Sequence, residues 1–483
     1  MKLTRRHFLH TAGSVSALGL AGCDLPVTLG LQPPPRPETA DLAPPATDTI
    51  DEVTHVLNRL TFGPRPGEYE AVREAGVESF IEEQLQPDSI DDAWCDHRVR
   101  RFETLRLPAG ELFEYQERLL LEELTDATLF RAVHSKRQLY EVMVGFWTDH
   151  FNIDSSKGDC AWLKTADDRD VVRQHALGKF PDLLRASALS PAMLWYLDGR
   201  ANRVDHKHDK PNENYARELL ELHTLGVNGG YTQQDVMEIA RCLSGWYVRS
   251  DELFGKGRVE FNPARHDDGE KVVLGETIPA GVGEGDLDRV LDIVVRHPAT
   301  AKHLATKLCR RFIPESPDAE TVATVAATFT RTRGDIRETL RTLFKQDAFH
   351  AARGTKLKRP FRFVTSALRA TDARWDHGEQ LRDYLLRMGH APFQYPTPDG
   401  YPDASAPWLG TLLWRWHFAK ALGENRLDGV NVNWDRLAPE SDPPALLARH
   451  LIGRAPQEDE ARILLANNNG PAAIIASPAF QRY

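Results

Sequence analysis

From residue 52 onward, apolar residues recur at the three- and four-residue spacing of one helix face, and polar residues fill the gaps. The stretch "THVLNRLTFGPRPGEYEAVREAGVESFIEEQLQP" predicts two helices broken at "FGPRPG", with Pro66 near the start of the second. Long amphipathic stretches predict further helices over 111–128, 131–152, 168–188, 212–225, 232–246, 286–296, 300–311 and 335–345. One segment departs from this period. "GRVEFNPARHDDGEKVVLGETI" alternates in part and carries an Asp268-Gly269 turn signal, which predicts a small β-hairpin near Val259 to Leu274. No fixed-period repeat and no internal linker interrupt residues 52–483. The expected architecture is therefore mainly α: one large helical domain over 51–483 with a small β-hairpin insertion.

The residues ahead of this body follow another logic. "TRRHFLH" places Arg5 and Arg6 before Phe8 and Leu9, and a short apolar run over 12–21 ends in "LAGC". The run is too short for a membrane-spanning helix. Residues 1–23 resemble a twin-arginine export signal ending in a bacterial lipoprotein box, which implies that Cys23 carries the lipid once the signal is removed. Asp24 then resembles an inner-membrane retention signal. Residues 24–50, including "LQPPPRPETADLAPPATD", have the proline-rich composition of an extended, solvated tether. The expectation is an exported lipoprotein facing the periplasm, bound to the membrane through its lipid.

Charge narrows the partners. The net charge of -10 and a pI near 6.0 offer no broad basic field for phosphates, so no nucleic-acid partner is expected. Cys95, Cys160, Cys242 and Cys309 are far apart and form no Cys-x-x-Cys pair, which argues against a zinc ribbon or redox motif. An oxidising periplasm permits disulfides among them, with buried free thiols as the plain alternative.

Candidate chemistry concentrates in "PNENYARELLELHTLGVNGGYT". Drawn as a helix, Asn214, Arg217, Glu218 and Glu221 share a narrow face, while Tyr215, Leu219, Leu220 and Leu222 lie elsewhere. Adjacent carboxylates repel one another unless a cation, a metal or a shared proton offsets the cost. Such a pair can act as acid and base, hold a divalent ion, or receive arginines from another helix, and a merely solvated charged face is the plain alternative. His223 falls on the opposite, apolar side, so this is not the two-histidine zinc helix. Thr232 with Asp235 predicts a capped start to the next helix.

Three other stretches carry polar groups. In "FWTDHFN", His150 shares a face with Leu139, Met143 and Phe146 and is expected to turn inward, as a core histidine or as the wall of a pocket. In "YLDGRANRVDHKHDKPNEN", Asp198, Asn202, Asp205, His206, His208 and Asp209 form a loop that leads into the glutamate-bearing helix. "NPARHDDGEK" brings His266 and Lys271 to the hairpin, and "FQYPTPDGYPD" is an aromatic, proline-rich loop of a kind that stacks on sugars or simply packs. No nucleophile elbow, phosphate loop or dinucleotide fingerprint is present.

Taken in order, "RLTFGP", "FWTDHFN", "RQHALGKFPDLL", "PAMLWYLDG", "NENYARELLELHTLGVNGGYTQQDV", "ARCLSGW", "RHDDGEKVVLG" and "GHAPFQYPTPDGYP" resemble the bacterial family called domain of unknown function 1800. The resemblance spans about residues 52–430 and implies an exported, mainly helical protein. It also implies a neighbouring exported protein of the unknown-function 1501 family as a partner. The family pattern matches at His150, Asp198, Asn212, Glu213, Asn214, Arg217, Glu218, Glu221, Thr224, Gly226, His266 and Lys271, whereas the position of His223 is often apolar or aromatic in relatives. A signature so rich in polar residues favours a working polar face over a packing helix.

The combined expectation is a hydrolase of an envelope or extracellular polymer such as a polysaccharide, using paired carboxylates or a divalent metal. Glu218, Glu221 and His150 are the candidate catalytic residues, and Asn214, Arg217, Asp198 and His266 the substrate-binding ones. His150, Asp198 and Glu218 are the candidate metal ligands. The alternative is a non-catalytic lipoprotein that binds a glycan or scaffolds a partner.

Overall fold

The helices predicted from periodicity are present in a computed structural model of the protein, and their breaks explain how polar groups from distant segments meet. The structure describes residues 40, 42, 45, 47–204, 210–250, 255–376, 378–439, 444–465 and 470–483. The export signal with Cys23 and Asp24, most of the tether, and the loop residues Asp205, His206, His208 and Asp209 lie outside the described residues.

Six helices position the site: α1 (Glu117–His134), α2 (Gln138–His150), α3 (Asn214–Glu218), α4 (Pro298–Phe312), α5 (Pro360–Ala370) and α6 (Leu412–Gly423). The predicted boundary between the first two shifts to Ser135–Arg137. There Asp92 accepts the Ser135 hydroxyl at 2.5 Å and the Lys136 N–H at 3.1 Å, which replaces the helical bonds of α1. The stretch expected as one helix over 168–188 is a π turn, Asp168–Arg173, followed by a helix over Phe180–Ala188 with Pro181 in its first turn. The capped start at Thr232 forms as expected, with Thr232 and Asp235 bonded reciprocally.

The β excursion differs from the single hairpin expected. Strand β1 (Trp246–Val248) pairs with β2 (Val259–Phe261), while β3 (Lys271–Val273) pairs with β4 (Glu276–Ile278), both antiparallel. The tight turn is Leu274-Gly275, where both residues have positive φ and so match the strand twist. Asp268-Gly269 joins no strand pair: the Asp267 carboxylate bends the chain locally by accepting the Gly269 N–H at 3.0 Å, and also takes Arg241 at 2.8 Å. A third pair joins β5 (Arg374–Trp375) to β6 (Val430–Asn431).

Two large apolar cores hold these elements. One is built around α2, α4 and the segments between them, the other around α1, α5, α6 and the C-terminal helices, and Phe361 at the start of α5 packs on both. Burying such surface contributes about 25 cal/mol per Å². Cys95, Cys160, Cys242 and Cys309 are free thiols inside these cores, and burial pushes the last three up to about 12. Among the described residues no helix is long and apolar enough to cross a membrane.

Candidate functional site

The glutamate-bearing segment departs from α-geometry where its chemistry lies. Residues Asn214–Glu218 are α-helical and Leu219–His223 form a π turn. A π turn widens the backbone spiral and leaves carbonyls to be satisfied from outside. Thr224 donates its hydroxyl to Leu219 O at 2.6 Å, His303 bonds Leu222 O at 3.2 Å, and His150 bonds His223 O at 3.1 Å. A carbonyl can only accept, so Nε2 of each histidine carries the proton. Gly226, at φ +83°, closes this end against His303, and a Cβ there would lie 2.7 Å from the imidazole Nδ1.

With its Nε2 proton committed, His150 presents a bare Nδ1, and Lys307 Nζ lies 2.9 Å from it. Burial and the Lys307 charge hold His150 well below the usual histidine range. The lysine is itself shifted. Burial brings Lys307 down to about 8, although Asp403, Asp149 and Asp399 oppose that shift. His223, fully buried with neither ring nitrogen bonded among the described residues, is lowered to about 3 by burial and Lys307; His303 is lowered to about 4 by the same causes.

The three aspartates around Lys307 come from two segments clamped together. Asn152, just past α2, donates its amide to Tyr395 O at 2.9 Å and to Thr397 O at 2.8 Å, and Tyr196 donates its hydroxyl to Pro396 O at 2.8 Å. The "PDGYPD" loop then runs against α2 so closely that a Cβ on Gly400, at φ +73°, would lie 2.0 Å from Asp149 O. Only glycine fits there. Arg359 pairs with Asp149 at 2.8 Å, and Arg311 bonds Asp403 at 3.3 Å. Burial alone would raise Asp403, but Arg359 and Arg311 bring it down to about 2. Deeper in, Arg59 and Arg362 lie over the Tyr483 ring at 4.7 and 4.4 Å. Burial opposes its ionisation, yet Arg362, Lys356, Arg311 and Arg59 bring the Tyr483 phenol down to about 7.

Glu218 lies within electrostatic reach of Asp399. It is partly buried, and no hydrogen bond or ion pair to its carboxylate occurs among the described residues. Burial, then the neighbouring charge of Glu221, and also Asp399, raise its carboxyl above the ordinary range against the pull of Arg217. Glu221 is partly buried and, among the described residues, accepts only a long 3.4 Å bond from the Tyr231 hydroxyl. Arg217 does not neutralise either glutamate: its guanidinium bonds Glu213 at 2.9 Å and Gln233 at 3.2 Å. Two adjacent carboxylates without a paired cation form an acidic site with one group biased towards its protonated form.

The structure gathers some of the sequence candidates and separates others. Glu218, Glu221 and Arg217 adjoin as expected, while His150 contacts Lys307, and the charge of Asp399 acts on both Lys307 and Glu218. Asn214 anchors the helix start by donating to Leu197 O at 3.1 Å, beside Asp198. Asp198 takes a left-handed backbone, φ +59°, and faces Lys157 at 3.4 Å. His266 belongs to a buried triad in which Asp286 takes His266 Nε2 at 3.1 Å and the Lys271 ammonium, tying the β insertion to the helix Asp286–Arg296. The candidate ligands His150, Asp198 and Glu218 do not converge. Among the described residues no group of three or more histidine, cysteine or acidic side chains is arranged to hold a metal ion. Tyr401, in the aromatic loop, packs inward on His390 and donates to Ala391 O at 2.7 Å.

Sequence reasoning missed Lys307, His303, Asp399 and Asp403. His303, Lys307 and Arg311 recur every four residues along α4, a polar stripe that could have signalled a site. The two aspartates stand in a loop noticed for its aromatic residues.

No curated protein and no solved structure matches the chain. The family model described as protein of unknown function (DUF1800) matches residues 55–482, and the chain belongs to that family.

Proposed function

We propose that the protein is an exported, membrane-tethered hydrolase of an envelope or extracellular polymer, working by paired carboxylates. The observation that carries this reading is the state of Glu218: partly buried, raised above the ordinary carboxyl range and without a cationic partner. Keeping such a group costs stability and gives the fold nothing in return, which is the signature of a working acid. Glu218 donates a proton to the leaving oxygen. Glu221 or Asp399, acceptors beside it, activate water or attack the scissile centre. Lys307, held near neutrality and bonded to His150, supplies a movable charge where negative charge develops on the substrate. Export and the Cys23 lipid rest on the sequence signals at residues 1–23.

The test is release of reducing ends or acyl groups from a panel of bacterial envelope and extracellular polysaccharides, for the wild type, Glu218→Gln and Asp399→Asn. The reading expects turnover of at least one polymer and a loss of 100-fold or more in Glu218→Gln. Binding without turnover of any polymer, unchanged in Glu218→Gln, would replace it with the non-catalytic glycan-binding reading.

A further inference from the structure

Helix α6 and the turn before it turn apolar side chains outward. Leu409 is 55% exposed, Leu412 51%, Leu413 64% and Trp416 58%, while Phe418, Ala419 and Leu422 on the opposite face are buried. Leu412, Leu413 and Trp416 follow the three- and four-residue spacing of one helix face, and Leu409 extends the row through the 3-10 turn Ala406–Thr411. Large apolar side chains clustered in solvent mark a surface that something else covers.

The rim of this stripe is basic. Arg387 stacks on Trp414 at 4.6 Å while paired with Asp383 at 2.6 Å, and Lys420 stands exposed one turn beyond Trp416 with no acidic partner among the described residues. An outward row of leucine and tryptophan edged by cations is the pattern of a helix that lies in the headgroup region of a bilayer. The path of the chain adds a second argument. Leu42 packs into the same apolar core as α6, and Ala40 N–H bonds Arg436 O at 3.0 Å, so residues 40 and 42 meet the body at that core. Four half-covered side chains amount to on the order of 400 Å², below the roughly 800 Å² per partner of a stable protein interface.

We propose that the face formed by Leu409, Leu412, Leu413 and Trp416 rests on a lipid bilayer, with Lys420 and Arg387 meeting anionic headgroups. The idea rests on the membrane-tethered reading and fixes how the tethered body sits: α6 lies in the membrane surface. A lipid on Cys23 provides one hydrophobic signal, and stable attachment takes a second.

The test is flotation of the full chain carrying Cys23→Ser, so that no lipid is attached, on vesicles of phosphatidylethanolamine with and without phosphatidylglycerol. It is compared with Leu413→Glu/Trp416→Glu and with Lys420→Glu in the same background. The proposal expects the double substitution to lower the bound fraction at least fivefold, and Lys420→Glu to lower it only on the anionic vesicles. Equal flotation of all three chains overturns it. So does a dimer in solution that the double substitution converts to monomer, because a second copy then covers the stripe. Whether Cys23 is lipidated in cells is read separately by fatty-acid labelling, so the tether and the stripe fail independently.

Discussion

Lys307 Nζ lies 2.9 Å from Nδ1 of His150, whose other nitrogen is bound to the π-turn carbonyl of His223. The contact makes His150 a fixed, neutral acceptor and turns Lys307 into the group that responds to pH. Burial holds Lys307 near 8 against an ordinary lysine value above 10. Its labelling by acetic anhydride is therefore expected to rise with pH through a midpoint near 8, whatever rate its burial permits. Site-resolved mass spectrometry measures this, and a labelling midpoint above 10 would refute it.

The Tyr483 phenol gives a pH dependence of stability with a definite sign. Its folded pKa, about 7, lies below the ordinary 10, so the unfolded chain binds more protons between those values. The stability it contributes is complete above about 10 and is lost as pH falls through 7. Lys307, depressed from about 10.5 to about 8, adds stability in the same direction between those values. Denaturant unfolding is expected to show a rise from pH 7 to 10 that flattens in Tyr483→Phe. A rise of the same size in that variant would contradict the assignment.

Gly400 sets the approach of the aspartate-bearing loop. Alanine there meets both a left-handed backbone and the Asp149 carbonyl, and Gly400→Ala is expected to cost roughly 1–3 kcal/mol. Limited proteolysis of this variant should cut within residues 394–403, where the Asn152 clamp has released. An uncut loop with unchanged stability would count against the clamp.

The His266 triad is structural. Asp286→Ala leaves the buried Lys271 without its partner and is expected to cost about 3–5 kcal/mol, while Glu218 titrates as before. A stable variant with altered Glu218 titration would instead connect the triad to the site.

Periodicity made much of this legible. The helix over Asp286–Arg296 and the capped start at Thr232 lie where the pattern places them, and His150 is buried as its apolar helix face implies. The π turn at Leu219–His223 was invisible, because a 3.6-residue template cannot register a wider turn and the same residues still alternate plausibly. The hairpin pairing was misplaced because Asp268-Gly269 carries a turn signal that a side-chain bond from Asp267 had already used. Lys307 and Asp399 were unreadable for another reason. The surroundings of Lys307 come from residues 149–150, 223, 303 and 399–403, and only tertiary packing makes them neighbours.

Glu218→Gln removes a like-charge contact and no ion pair, so it should fold at least as well as the wild type at pH 7, by up to about 0.5 kcal/mol. The sign follows from linkage: a carboxyl raised in the folded state makes stability fall as pH rises from the ordinary glutamate value through the folded one. Urea unfolding at pH 7 checks this, and a loss above 1 kcal/mol would reveal a partner for Glu218.

The most direct test is the titration of Glu218 itself, by carboxyl carbon NMR of glutamate-labelled protein, with the resonance assigned through Glu218→Gln. A midpoint above the ordinary glutamate range that moves down in Glu221→Gln and in Asp399→Asn is the predicted result. An ordinary midpoint, indifferent to both substitutions, would contradict the proposal that these carboxylates form one acid site.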